Sequence, residues 1–394
     1  MNYYIIPKNN CVINILPQFS QNPIKPIISY SLLFYLDDIA KQMSAIPSEE
    51  SEEIKRFVNP LEFVQTPVPF SSFSVSKIKA SNNIFYELME IIQICGLMDN
   101  IVEPLNITTC HIGPNHTSTL YLMDMLREDK EDNIVAMDFD RSAIIDSLLL
   151  HDHDNAEMTN KFDLLIIEWS EHEYNNVAIN VRNMILSFMV VARTQKQSGL
   201  AIIKIDNLVY KPILDVIFLL SSLYDKISIV KPTNSNILKG ERYIVCNGFC
   251  KNINIDNIIT IGQQIDNTLL RIVQPQDQDQ NQIREQNIVS ILDQELPYYF
   301  VNRIEEPNAI IGQQQLEAFD HVINIYKNKN KDEKLETLKR NHIQKCVQWC
   351  EKNQIPHNKF ADKVNIFLLP KKRENDMIST TSHSSNSSSS EEEI

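Results

Sequence analysis

From residue 107 to residue 249 the chain alternates short, nearly continuous apolar runs with longer amphipathic stretches. The runs fall at 107–112, 133–138, 163–167, 200–205, 226–230 and 243–246, and the amphipathic stretches at 180–192 and 213–223. Strands that lack polar alternation are buried on both faces, which requires helices on both sides of a mostly parallel sheet. The pattern therefore predicts an α/β, doubly wound domain. Just before it, Ile84, Phe85, Leu88, Ile91, Ile92 and Cys95 recur at helical spacing, with Ser81 placed as N-cap and Gly96 near the stop.

Outside this block the pattern weakens. Residues 1–70 mix short apolar runs with Pro17, Pro23, Pro26, Pro60, Pro67 and Pro69, which reads as irregular wrapping structure with few regular elements. Beyond Phe249 a polar connector with a Gln/Asp run at 274–282 leads into helical periodicity at 283–295 and 313–351. The Ser-rich, Glu-containing end, 379–394, lacks the apolar residues to order itself. The expected organisation is an N-terminal arm (1–76), the sheet domain (77–252), a mainly helical extension (253–370) and a disordered tail (371–394).

Composition narrows the chemistry. Only 7 of 394 residues are glycine, against roughly 28 for an average globular chain. A nucleotide site built on a glycine-rich loop must therefore be abbreviated, and no Walker-type phosphate loop is present. The net charge of -14 argues against a general nucleic-acid coating protein, although a local basic groove is compatible with it. Seven cysteines, without a secretory leader before them, indicate a reduced intracellular setting. No run approaches 18 apolar residues, so no membrane span is expected.

In doubly wound sheets ligands bind at the carboxyl ends of the strands. The first run leads into Gly113-Pro114-Asn115-His116, either a ligand-cradling turn or an ordinary strand-to-helix turn. The second ends in Asp138 and Asp140, where such folds bind a ribose with a carboxylate, and where Asp140 alternatively caps a helix. The third ends in Glu168, Lys204 lies inside the fourth, and Glu241 opens the last. A lysine within an apolar strand is costly to bury unless paired or wanted for its chemistry, the alternative being a sheet-end side chain that snorkels to water.

Strand 200–205 with its Lys204, followed by a helix and then by Lys231-Pro232-Thr233-Asn234-Ser235-Asn236-Ile237-Leu238-Lys239-Gly240-Glu241-Arg242-Tyr243-Ile244-Val245-Cys246, resembles the closing half of FtsJ-like ribose 2'-O-methyltransferases. Tyr210-Lys211-Pro212, Leu220-Ser221-Ser222-Leu223-Tyr224 and the segment 344–352 are similar to the large-DNA-virus (giant virus) branch. The likeness spans about residues 81–367. It implies a Rossmann-like methyltransferase sheet, S-adenosylmethionine as cofactor, and methyl transfer to a ribose hydroxyl of capped mRNA or other RNA. Viral capping or virion proteins are the implied partners, and the host cytoplasm (viral factory) or the virion the implied location.

The family acts through a Lys-Asp-Lys-Glu tetrad. Carried across, Lys204 matches the lysine that deprotonates or orients the hydroxyl, and Glu241 the final glutamate. The aspartate position falls on Glu168. The first lysine belongs to the helix around 81–88, which holds none, leaving Lys79, just upstream beside Lys77, as the nearest candidate. Gly113, Pro114, Asn115 and Asp138 correspond to the cofactor positions, with the family's glycine-rich turn reduced to Gly113. These departures open an alternative: a catalytically degenerate methyltransferase fold serving as a binding or structural subunit of a capping or particle assembly.

Other groupings are read as structural. Cys246/Cys250 and Cys346/Cys350, near His342 and His357, have loose zinc-like spacing, but on a helix Cys346 and Cys350 form a packing stripe beside Ile343 and Val347. No metal is expected. His151 and His153 lie in a polar, solvated loop, and the lysines at 327–339 alternate with acids on a solvated helix face.

Overall fold

Apolar runs become strands where two neighbours can satisfy their backbone, and here they assemble into one seven-stranded sheet. The computed structural model describes residues 2–9, 13–69, 71–128, 130–150, 161–169, 176–250, 287–328 and 332–358. The expectations for 274–282, His151, His153 and 379–394 lie outside these residues.

The strands are β1 (Asn2–Ile6), β2 (Ile15–Ser20), β3 (Thr108–Ile112), β4 (Asn133–Met137), β5 (Phe162–Ile167), β6 (Gln195–Ile205), β7 (Tyr224–Lys231), β8 (Arg242–Phe249) and β9 (Asn287–Leu292). The helices are α1 (Tyr30–Met43), α2 (Ser48–Val58), α3 (Ile84–Ile94), α4 (Met98–Val102), α5 (His116–Leu126), α6 (Arg141–Ile144), α7 (Val177–Thr194), α8 (Lys211–Leu223), α9 (Tyr298–Lys327) and α10 (Asp332–Lys352). The large sheet runs β1-β7-β8-β6-β5-β3-β4, and β2 and β9 form a separate two-stranded ribbon. β4, β3, β5 and β6 are parallel to one another, whereas β8 pairs antiparallel with both β6 and β7, so it lies reversed between them. This is a mostly parallel, Rossmann-like sheet.

Register assigns each side chain a face. His111, Ile166, Ile202 and Val245 are cross-strand neighbours, and Lys204 lies two residues beyond Ile202 on the same face. This face is covered by α5, whose Thr119 bonds His111, and by α3, whose Glu87 reaches Lys204. Cys110, Leu165, Ala201, Ile203 and Ile244 point the other way, into the large core that includes α7 and α8.

Helix α7 is long and apolar enough, by length and composition, to cross a membrane, which departs from the expectation that no such segment exists. Most of its residues are buried inside this fold, including the polar Asn180 and Asn183.

Three other expectations are corrected. The first seventy residues carry two strands and two helices instead of few regular elements. The prolines misled because regular elements accommodate them: Pro60 follows the end of α2, and Pro17 lies in β2 where its ladder with β9 shifts register. β1 zips antiparallel onto β7, with Tyr4 opposite Ile229. Where helical periodicity was expected at 283–295, the described residues form β9 (Asn287–Leu292), which pairs with β2 and buries Ile288, Ile291 and Leu292 in the main core. The stretch 313–351 belongs to two helices, the first beginning at Tyr298. Because β1 joins the sheet and β2 joins β9, the chain to Asn358 is one compact unit. Helix α3 follows the sequence reading closely, ending at Ile94 shortly before Gly96 with φ +64, but starts at Ile84. There Asn82 Oδ1 accepts from the Ile84 N–H, while Ser81 bonds Ser118.

A buried histidine on β3 gives this fold an acid limit. His111 is fully buried, with Nδ1 2.8 Å from Thr119 Oγ1 and Nε2 3.0 Å from Thr109 Oγ1. Burial, reinforced by nearby His116, lowers its pKa to about 4. The unfolded chain then takes up a proton that the native state refuses, so stability is lost as pH falls from the ordinary histidine value towards 4. From pH 7 to pH 5 this loss is about 2 kcal/mol. Urea denaturation of wild type and His111→Gln at both pH values checks it; equal pH slopes would contradict the assignment.

Candidate functional site

The carboxyl ends of β5 and β6 and the start of β8 bring Glu168, Lys204 and Glu241 together. Lys204 Nζ lies 3.1 Å from Glu241 Oε2 and 3.3 Å from Glu168 Oε1. A third carboxylate completes the shell: Glu87, from α3, places Oε2 3.7 Å away. Lys204 is 8% exposed, and its amine sits 5.8 Å from the centre of the Tyr243 ring, its register partner on β8.

Each carboxylate is held from behind as well. Asn115 Nδ2 donates to both oxygens of Glu168, at 3.1 and 3.0 Å. Glu87 accepts from the Tyr243 hydroxyl and, at 2.9 Å, from Asn83 Nδ2. Lys239 Nζ lies 3.4 Å from Glu241 Oε1.

Burial disfavours the Lys204 ammonium, but Tyr243, Glu87, Glu241 and Glu168 outweigh it and hold the group well above the ordinary lysine value. Burial raises the Glu168 carboxyl despite Lys204, whereas for Glu241 the lysines Lys204 and Lys239 overcome burial and lower it. Lys204 therefore stays protonated at neutral pH. A permanently charged ammonium orients and neutralises acceptors but takes no proton from a hydroxyl.

The structure corrects the expected fourth member. Lys79 is exposed on the segment before α3 and forms no ion pair with the cluster among the described residues. Glu87 of α3 stands against Lys204 instead. A sequence signal for it exists: α3 is apolar and buried from Ile84 to Ile92, yet carries Glu87 and Glu90 one turn apart. Carboxylates in so apolar a helix need buried partners. Glu90 finds its own away from Lys204, accepting from Thr233 N (3.0 Å), Thr233 Oγ1 (2.7 Å), Asn234 N (3.2 Å) and Trp349 Nε1 (3.1 Å).

The turn after β3 was expected to hold the cofactor, and its groups face inward. Gly113 has φ +145, and a Cβ there would come within 2.7 Å of the Glu168 carbonyl oxygen, so glycine is required by close backbone approach and not by a ligand. Its N–H donates to the Met137 carbonyl, and Pro114 has no N–H to offer. The Asn115 amide is engaged by Glu168. Asp138 is the exception, its side chain 79% exposed at the end of β4 with His116 Nδ1 3.5 Å away. Asp140 instead caps α6, accepting from Ser142 N and Ala143 N. The turn thus does not fit S-adenosylmethionine as a glycine-loop cradle.

No family model and no curated protein matches the sequence. Among solved structures, 46 chains match. One is human N-acetylserotonin methyltransferase in complex with SAM, 10% identical, with a TM-score of 0.23 over 57% of this chain and 68% of that one. The fold assignment rests on the strand order and register described above.

The cysteine pairs are packing groups. Cys346 and Cys350 are fully buried on α10, and burial pushes both thiols up to about 12. Cys246 is buried within β8, and Cys250 donates to Asp225 Oδ1 at 3.0 Å. No group of three metal-ligating side chains occurs among the described residues.

Proposed function

We propose that this chain is a degenerate relative of FtsJ-like ribose 2'-O-methyltransferases, of the large-DNA-virus branch. In this reading the tetrad has become an internal electrostatic clasp, and the protein serves as a binding or structural subunit of a capping or particle assembly. The observation that carries the reading is Glu87, 3.7 Å from Lys204 where the family pattern calls for a lysine. Two lysines and two carboxylates would be neutral; Lys204 and, at Glu241, Lys239 set against Glu87, Glu168 and Glu241 leave an excess of one negative charge. A ribose flanked by phosphates would approach that cluster against repulsion and against the burial of all four groups. Asn115, committed to Glu168, supports the same reading.

A second reading, an active methyltransferase using S-adenosylmethionine on capped RNA, draws on Asp138, exposed at the strand end where a ribose would be held, and on the grouping of Lys204 with Glu168 and Glu241. Calorimetric titration with S-adenosylmethionine and a labelled-methyl transfer assay on capped RNA separate the two. The clasp reading expects no saturable binding up to millimolar cofactor and no transfer above background. Saturable binding accompanied by transfer overturns it.

A further inference from the structure

A cleft of about 340 Å³ opens between the end of α2, the segment after β7 and the middle of α9. Part of its wall is apolar, formed by Val58 and Pro60, Pro232 and Ile237, and Ala318. Lys231, the last residue of β7, also lines it. This lysine is 7% exposed, and its amine donates to the Asn236 carbonyl at 3.0 Å and the Lys239 carbonyl at 2.9 Å. No carboxylate lies within ion-pair distance of it among the described residues. Two of its three N–H groups are thus satisfied by neutral oxygens, while its charge has no direct counter-ion.

Burying an ammonium without a carboxylate partner is unfavourable, and an anion entering the cleft would relieve that. We propose that the cleft is a binding site for a small planar anion, a ring system carrying one carboxylate or phosphate, with Lys231 as its counter-charge. The volume is in the range of ligand pockets. The proline and aliphatic walls suit the faces of a ring, and the Gln314 amide and His321 imidazole stand in the lining as further polar contacts. Glu317, exposed in the same lining, opposes an anion and sets the expected sign of one variant.

The charge state of Lys231 agrees with the geometry. Burial, the largest effect, lowers its pKa to about 8; Glu87, Glu241 and Asp206 push it back up through space, and Arg242 pushes it down. An anion beside the amine should raise it. Binding at pH 8.5 should therefore take up a proton, visible in calorimetry as a heat that depends on the ionisation enthalpy of the buffer.

The test uses the full chain and three probes: 2-naphthoate, 2-naphthyl phosphate and the neutral 2-naphthalenemethanol. The expected result is saturable binding of at least one anion, at least tenfold tighter than the neutral compound, with proton uptake at pH 8.5. The preferred anion tells carboxylate from phosphate ligands. Lys231→Met should weaken the anion at least tenfold. Glu317→Lys, at an exposed position, should tighten it several-fold and keeps the test valid if Lys231→Met does not fold. Absence of saturable anion binding to wild type, equal affinity for the anions and the neutral compound, or indifference to Glu317→Lys would each overturn the proposal.

Discussion

Replacing Lys204 with methionine should lower the stability of the folded protein by about 3–5 kcal/mol, the loss typical when one partner of a buried ion pair is removed. The side chain is nearly isosteric, so the packing change is small and the effect is electrostatic. Glu87, Glu168 and Glu241, with side chains 5%, 6% and 11% exposed, would be left facing one another without their common cation. Their proton affinities would rise, and the sign of the pH dependence follows. An acid whose native pKa is raised loses stability as pH increases from the ordinary carboxylate range through the raised value. The deficit of Lys204→Met relative to wild type should thus be largest near pH 8 and shrink near pH 5. Chemical denaturation at the two pH values measures it. A variant as stable as wild type at both would show that Lys204 is spare in the fold, as a purely catalytic lysine would be.

The second large effect lies outside the sheet ends. Asp215, in the middle of α8, is completely buried. Its Oδ2 accepts from Ser290 Oγ (3.0 Å), Ile291 N (2.8 Å) and Leu292 N (3.2 Å), and Oδ1 accepts from Lys211 Nζ at 2.7 Å. One carboxylate thereby fastens β9, and through it β2, to the core helix. Asp215→Ala strands two backbone donors in the interior, at about 1–3 kcal/mol for each group left unsatisfied, while the Ser290 hydroxyl keeps the Leu292 carbonyl as acceptor at 2.8 Å. A total loss of about 3–5 kcal/mol is expected, with the Ile291 and Leu292 amides losing their protection from hydrogen exchange first. Asp215→Asn, which keeps one acceptor oxygen, should fall between. Unchanged exchange at these two amides in Asp215→Ala would contradict this role.

Much of the sheet was legible because most of its strands are buried on both faces; β4, at the edge, is largely exposed yet carries the same kind of apolar run. A doubly buried strand is written as a local apolar run whatever its neighbours, and all six runs between residues 107 and 249 became strands. β9 was not legible in this way. Its Asn-Ile-Val-Ser-Ile-Leu pattern is too short to separate strand from helix, and the decision came from β2, some 270 residues earlier, and from Asp215. Likewise β1 is a strand because β7 presents an open edge to it, which no window around Asn2–Ile6 reveals.

The site divides along the same line. The sequence by itself determined that a lysine, Lys204, would sit inside an apolar run, with Glu168 at the end of another and Glu241 at the start of a third, since run length and composition are local properties; that these runs lie side by side is set by the sheet order. Only the tertiary structure decided what surrounds that lysine. The rotation of α3 against the sheet turns Glu87 into the cluster and Glu90 towards Thr233, and the turn at Gly113 spends Asn115 on Glu168. These contacts join residues 53 to 156 positions apart. Their partners are fixed by helix placement in three dimensions, and charge balance in a buried site depends on that placement rather than on any residue's sequence neighbours.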